Sequence, residues 1–174
     1  MTQIRGLAVR IVTFGTIITS AIMAWKLLMC LTGCEPPLTI VVDSSMEPGY
    51  TKGDILLLGK VSSPLECGDI ILFEVEEGGA PIVHRVIQVT KHLDTGDVNL
   101  LTKGDNNPKD DRNSLYMEDQ QWINQKDHVL GKVIGYIPHI GSAIIFVNMH
   151  SFAMYLVMGA MSMLVLTRKS NMFG

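Results

Sequence analysis

Three short stretches of the 174-residue chain carry residue types that could do covalent chemistry. The first is VVDSSMEPG, residues 41–49, where Ser44 and Ser45 stand as an apolar run gives way to Pro48 and Gly49. A nucleophilic serine needs exposure at a fixed angle, and a sharp turn supplies it. The local alternative is a capping box, Ser44-x-x-Glu47, although Pro48-Gly49 leaves little helix to cap. The second stretch is PIVHRVIQV. On a strand, His84 shares one face with Ile82 and Val86, and Arg85 takes the other. An imidazole among apolar neighbours is usually a satisfied core histidine. It is also the side chain whose ordinary pKa, about 6.5, suits a base at neutral pH. The third is LLTKGDNNPKDDR, where Asp105, Asp110 and Asp111 cluster with Asn106 and Asn107. Such a cluster is either a polar surface turn or the source of a carboxylate that orients the imidazole and stabilises imidazolium.

Other chemistries find less support. The formal net charge is -3, so no basic field argues for nucleic acid. Five scattered histidines form no HExxH motif, and Cys30, Cys34 and Cys67 form no CxxC pair, so no metal site is expected. An odd cysteine count without regular spacing reads as three unpaired small apolar residues; a Cys34–Cys67 bridge is the alternative. Asp94-Thr95-Gly96 spells an aspartic-protease signature, but that chemistry needs two carboxylates sharing a proton. A turn is the simpler reading.

These stretches must be positioned by the elements around them. Residues 38–138 read as β-structure. Segments 38–42, 54–60, 69–75, 81–91, 98–103 and 129–137 are short, rich in Val, Ile and Leu, and bounded by Gly, Pro, Asp or Asn. Glu76-Glu77-Gly78-Gly79 and Asp94-Thr95-Gly96-Asp97 read as hairpin turns, and residues 104–128 read as a polar loop. The expected fold is mainly β, a sheet or partly open barrel.

An apolar run at 11–33 precedes this domain, about long enough to cross roughly 30 Å of hydrocarbon. Lys26 interrupts it near one end, beside Trp25, and reads as a snorkelling interfacial anchor. Arg5 and Arg10 precede the run without an acid, which puts the N-terminal side in the cytoplasm. A cleavable signal has a shorter apolar core, roughly 7–15 residues, so an uncleaved anchor is expected. Leu31-Thr32-Gly33-Cys34 resembles a lipoprotein cleavage box, an alternative that Lys26 weakens. A second apolar stretch, 152–166, followed by Arg168 and Lys169, would reach about 22 Å as a helix. It is either a short crossing or an interfacial helix. Met154, Met158 and Met161 form a stripe on it that suits packing or lipid contact. The expected organisation is a cytoplasmic segment 1–10, an anchor 11–33, a β-rich domain 34–140 and a membrane-associated segment 141–174.

In this order, behind such an anchor, the stretches TFGTIITSAIMAWKLLMCLTG, SMEPG with KGDILLL, PIVHRVI, LLTKGDNNPKDDR and VLGKVIGYIPHIG resemble one family. It is the catalytic subunits of the eukaryotic endoplasmic reticulum signal peptidase complex. The resemblance covers nearly the whole chain. It implies a membrane-bound serine endopeptidase with a lumenal β-domain, which removes signal peptides from nascent proteins after small residues. It implies accessory membrane subunits as partners, contact with the lipid bilayer, and no cofactor. Ser45 matches the nucleophile, His84 the base, Asp111 the acid expected to orient it, and Asp105 a second functionally important acid. The short C-terminal helix matches one that helps thin the membrane and favours short signal-peptide helices. One departure stands out. The family usually has Ser-Gly-Ser before Met-Glu-Pro, and here Asp43-Ser44-Ser45 takes its place. A carboxylate aimed at a developing oxyanion would repel it, and loss of one such donor costs about 3–4 kcal/mol. A catalytically weak or inactive scaffold subunit is therefore an alternative; a Ser-Lys autoprotease of related architecture with Lys103 as base is another, against which His84 in the matching position argues.

Overall fold

The computed structural model describes residues 2–76, 78–92, 96–117 and 120–149, and beyond them 152, 155, 156, 159, 160 and 163. The DTG residues Asp94 and Thr95, Glu77 of the other expected turn, the Met154/Met158/Met161 stripe, Arg168 and Lys169 lie outside the described residues, as does most of 152–166. The chain divides into two units, residues 29–143 and residues 1–28 with 144–174.

The larger unit is built on seven strands: β1 (Leu38–Ile40), β2 (Ile55–Gly59), β3 (Ile70–Phe73), β4 (Ile82–Lys91), β5 (Val98–Lys103), β6 (Ile123–Asn124) and β7 (Val129–Ile137). They form one antiparallel sheet in the order β1-β2-β7-β3-β4-β5-β6, curled into a half-barrel. Register shifts between Leu57 and Leu58, Leu72 and Phe73, and Val86 and Gln88 fall along the sheet. Bulges of this kind bend and twist strands, which is how a sheet curls.

Both faces of the middle strands are covered. Ile71, Phe73, Val86, Leu100, Tyr116 and Ile123 pack on one side. Cys34, Leu58 and Leu72 pack on the other, with Val83, Leu130 and Val133. That is why Ile70-Ile71-Leu72-Phe73 reads as an unbroken apolar run rather than an alternating one. All three cysteines are free, and the buried Cys34 donates through Sγ to Leu130 O at 3.3 Å.

The expected loop at 104–128 contains more order than its polarity suggests. A 3₁₀ turn covers Asp111–Asn113, and β6 and a four-residue helix α2 (Gln125–His128) follow. β6 adds to the sheet through Leu100↔Ile123 and Asn99↔Asn124. A two-residue strand is too short to show a period of two, and only the complete burial of Ile123 betrays it.

The N-terminal helix α1 runs Thr2–Thr32, starting well before the apolar run. Charged residues limit what enters hydrocarbon, not what coils, so Arg5 and Arg10 lie on the helix too. Its segment Ala8–Thr32, 25 residues of mean hydropathy 1.7 with none of it buried, is long and apolar enough to cross a membrane. Hydroxyls along it are satisfied internally: Thr13 donates to Val9 O, Thr16 to Val12 O and Ser20 to Ile17 O. An apolar helix with its polar groups paired to its own carbonyls suits lipid. Helix α3, Ile140–Met149, is a shorter apolar helix that runs through Asn148.

Candidate active site

The Ser45 turn leaves β1, an edge strand of the sheet. Val41 N–H donates to Asp54 O at 2.9 Å and Gly53 N–H returns to Val41 O at 2.8 Å, pinning the start of the turn. Met46 is buried and anchors its far side. Asp54 fixes the end. Its carboxylate accepts from Thr51 N–H at 2.8 Å and His139 N–H at 3.0 Å. Burial works to raise the Asp54 carboxyl, but these bonds outweigh it and hold it below the usual carboxylate range. Between these anchors Ser45 is half-buried.

The turn is also clamped from across the fold. Asn106 N–H donates to Ser45 O at 2.8 Å, and Asn106 Nδ2 donates to Ser44 O at 3.1 Å. The loop carrying Asn106 is held by Asp105, whose carboxylate accepts Arg85 Nε at 2.8 Å and Nη2 at 2.7 Å. The Arg85 hydrogen bonds hold the Asp105 carboxyl below its ordinary range, and Asp105 in turn raises Arg85. Arg85 Nη1 also donates to Gly68 O at 2.9 Å. This two-pronged contact between planar groups is geometrically demanding, so it sets the loop's position as well as neutralising charge.

His84 is only 3% exposed, on β4 opposite Ile71 of β3. Its Nδ1 lies 2.6 Å from Asp111 Oδ2, and Asp111 is 0% exposed. With Asp111 as a carboxylate, Nδ1 must carry the proton and Nε2 is left with a free lone pair. Asp111 opens the 3₁₀ turn, and its carbonyl accepts Leu115 N–H at 3.0 Å and Tyr116 N–H at 3.1 Å. Backbone on one side and imidazole on the other therefore hold this residue.

Gly104 joins the two halves. A Cβ placed on it would stand 2.8 Å from Ser45 O, 2.9 Å from His84 Nε2 and 2.7 Å from Asn107 Nδ2. The free imidazole nitrogen and the Ser45 backbone thus converge on one buried glycine. Gly104→Ala is expected to leave a folded chain by circular dichroism but push these groups apart. Displacements near 1 Å can cost about 100-fold in rate, and a kcat for Gly104→Ala within threefold of wild type would contradict this.

Of the four residues singled out, Ser45, His84 and Asp111 come together, and Asp105 is engaged by Arg85 instead. The Ser45 hydroxyl faces elsewhere: Ser45 Oγ donates to Asp43 Oδ1 at 2.8 Å, and Ser45 N–H donates to the same oxygen at 3.1 Å. Lys103 sits opposite Arg85 in the sheet and donates to Gly104 O at 3.0 Å, tied to backbone. The clamp by Asn106 and the cradle at Gly104 were present as letters in KGDNN, but nothing local marks them as contacts of Ser45.

A cavity of about 80 Å³ opens beside Ser45, between residues 39–43 and residues 81–83. A larger one, about 520 Å³, is lined by Glu74, Glu76, Asp127, His128 and Leu130, none of them in the serine–histidine cluster. Size does not select between them. Of the two, the smaller borders Ser45 and the larger does not.

Comparison with known proteins narrows the reading. No family model matches the chain. The signal peptidase complex catalytic subunit SEC11C of Homo sapiens is 41% identical over 168 residues, 96% of this chain and 86% of its own length. The human protein named putative signal peptidase complex catalytic subunit SEC11B is 38% identical over 161 residues, 92% of this chain and 95% of its own. The signal peptidase complex catalytic subunit sec11 of Dictyostelium discoideum is 38% identical over 146 residues, 84% of this chain and 79% of its own.

Proposed function

Because the chain belongs to the family of signal peptidase complex catalytic subunits, we propose that it is a serine endopeptidase that removes signal peptides at the lumenal face of the endoplasmic reticulum membrane. The observation that carries the mechanism is the buried Asp111–His84 pair, whose free Nε2 faces the Ser45 turn across Gly104. Ser45 Oγ turns from Asp43 to His84 Nε2 and attacks the scissile carbonyl as Nε2 takes its proton. The imidazolium, stabilised by Asp111, then protonates the leaving amine. Water, deprotonated by the same Nε2, resolves the acyl-enzyme and restores Ser45. Asp105 acts at one remove, holding the Asn106 loop through Arg85.

The cavity of about 80 Å³ beside Ser45 suits a small side chain before the cut. Edge strand β1 offers an extended substrate backbone groups to pair with. Helix α1 supplies the anchor. Arg5 and Arg10 favour a cytoplasmic N-terminal side and a lumenal domain beyond residue 34. Residues 141–174 form a second membrane-associated segment, and the partners are the other subunits of the complex and precursors bearing signal peptides. The test is cleavage of a precursor by the complex reconstituted in membranes with this chain as its sole catalytic subunit. Mass spectrometry of the new N-terminus should find a cut after a small residue. An uncut precursor, where a known active subunit cleaves it, would withdraw the peptidase reading.

The contact between Asp43 and Ser45 supports a second reading, a subunit of low activity. One carboxylate oxygen takes both the nucleophile's proton and the backbone N–H that would otherwise meet the oxyanion. Asp43→Ser is expected to raise kcat at least about tenfold, since one oxyanion donor is worth roughly 100-fold or more. A lower kcat in this variant would mean that Asp43 holds the turn in its working shape.

A further inference from the structure

Behind His84 runs a file of buried hydroxyls that the mechanism above does not use. Thr102 in β5 is 0% exposed, and Tyr116, just beyond the 3₁₀ turn, 7%. Thr102 Oγ1 lies 2.6 Å from Asp111 Oδ2 and 2.9 Å from Tyr116 Oη, and Thr102 N–H donates to Tyr116 Oη at 3.0 Å. Proton counting gives these bonds a direction. A hydroxyl has one proton, and a carboxylate has none to offer. The Thr102 proton therefore goes to Asp111, and the proton between Tyr116 and Thr102 must come from Tyr116. Burial pushes the Tyr116 phenol up, and the Asp111 and Asp110 charges add to this, so it remains a donor at neutral pH.

His84 Nδ1 completes the file on the same oxygen, Oδ2, at 2.6 Å. The other oxygen, Oδ1, is buried with no hydrogen-bond partner among the described residues. Among the described residues, the side-chain donors that offset burial of this carboxylate are thus two, His84 and Thr102. A buried charge short of donors is costly. We propose that Thr102 and Tyr116 are positioning residues: a one-way relay, Tyr116 to Thr102 to Asp111, that keeps the carboxylate charged and aimed at His84 Nδ1, leaving Nε2 bare as the base. This rests on the peptidase reading above.

The test is the pH dependence of kcat/KM for signal-peptide cleavage by the whole complex, for Thr102→Val, Thr102→Ser and Tyr116→Phe. Valine keeps the shape of threonine and removes the donor. The proton-free pair then loses a stabilising bond, so it takes up a proton more readily, whichever partner carries it. For Thr102→Val, kcat/KM should fall about tenfold or more at neutral pH. Its acid limb should move to higher pH by roughly one unit. Of the neighbouring charges, Asp110 follows Pro108 and Lys109 on the same loop, and Asp105 is held by Arg85. Neither is altered by the variants. Thr102→Ser should restore both rate and limb, and Tyr116→Phe should move the limb the same way by less.

A slowed Thr102→Val with an unmoved acid limb overturns the relay in favour of simple packing, as does a serine variant no better than valine. Should the valine variant fail to assemble, coincident limbs for Thr102→Ser and Tyr116→Phe overturn it equally. Ser45→Ala, run alongside, keeps the two claims apart. Cleavage that survives in it sinks the serine-peptidase reading itself, whereas loss of cleavage there with an unmoved Thr102→Val limb sinks the relay alone.

Discussion

Ser45→Ala is expected to assemble normally and to cleave no signal peptide, with kcat reduced on the order of 10⁶-fold. The structure explains why both halves of that result should hold. The turn is held by backbone and by other side chains: Asn106 on the Ser45 and Ser44 carbonyls, Met46 in the core, and Asp54 at Thr51. None of these uses the Ser45 hydroxyl, whose one hydrogen bond among the described residues is to Asp43. On the proposed mechanism, its removal deletes the attacking oxygen while these holds on the turn remain. Ser44 does not stand in, because it is exposed and its carbonyl is the one gripped by Asn106 Nδ2. The measurement is the yield of mature protein at fixed complex concentration, with assembly checked by co-purification of the other subunits. Wild-type yield from an assembled Ser45→Ala complex would refute the assignment.

Asp111→Asn is expected to lower kcat on the order of 10⁴-fold with the sheet intact. The exchange is nearly isosteric at a fully buried site, and the backbone bonds to the Asp111 carbonyl persist. What changes is the proton pattern. If the new amide turns its oxygen to His84 and Thr102, the imidazolium loses its counter-charge. If it turns its NH₂ to His84, the proton moves to Nε2 and the base is gone. Both outcomes stop the same step. Unchanged kcat in Asp111→Asn would mean that His84 is a structural core histidine, the bland reading its apolar neighbours first suggested.

Much of this protein was legible in one dimension. Strands β5 and β7 fall where Val, Ile and Leu content and flanking turn residues put them, and β1 to β4 differ by a residue or two at their ends. The N-terminal apolar helix was evident from composition, since a run of apolar residues with one charge needs no partner to be recognised. The resemblance to signal peptidases rested on short motifs whose residues are local: Ser45 before Met-Glu-Pro, His84 within a strand, and acids after Lys103.

The distances between those motifs were not legible. Three acids lie within seven residues of one another, and nothing in their spacing says which reaches His84. The fold decides it, because Asp105 sits beside Arg85 while the 3₁₀ turn carries Asp111 under the imidazole, 27 residues along the chain from it. The contact of Asp43 with Ser45 is close in sequence yet was equally open, since a side chain's direction on a turn depends on what else grips the backbone. The Gly104 cradle and the Tyr116–Thr102 file exist only once β4, β5 and the 3₁₀ turn are packed together. Periodicity and composition report which face a residue occupies. Hydrogen-bond partners across the core are set by strand register and loop anchoring, which are properties of the packed chain alone.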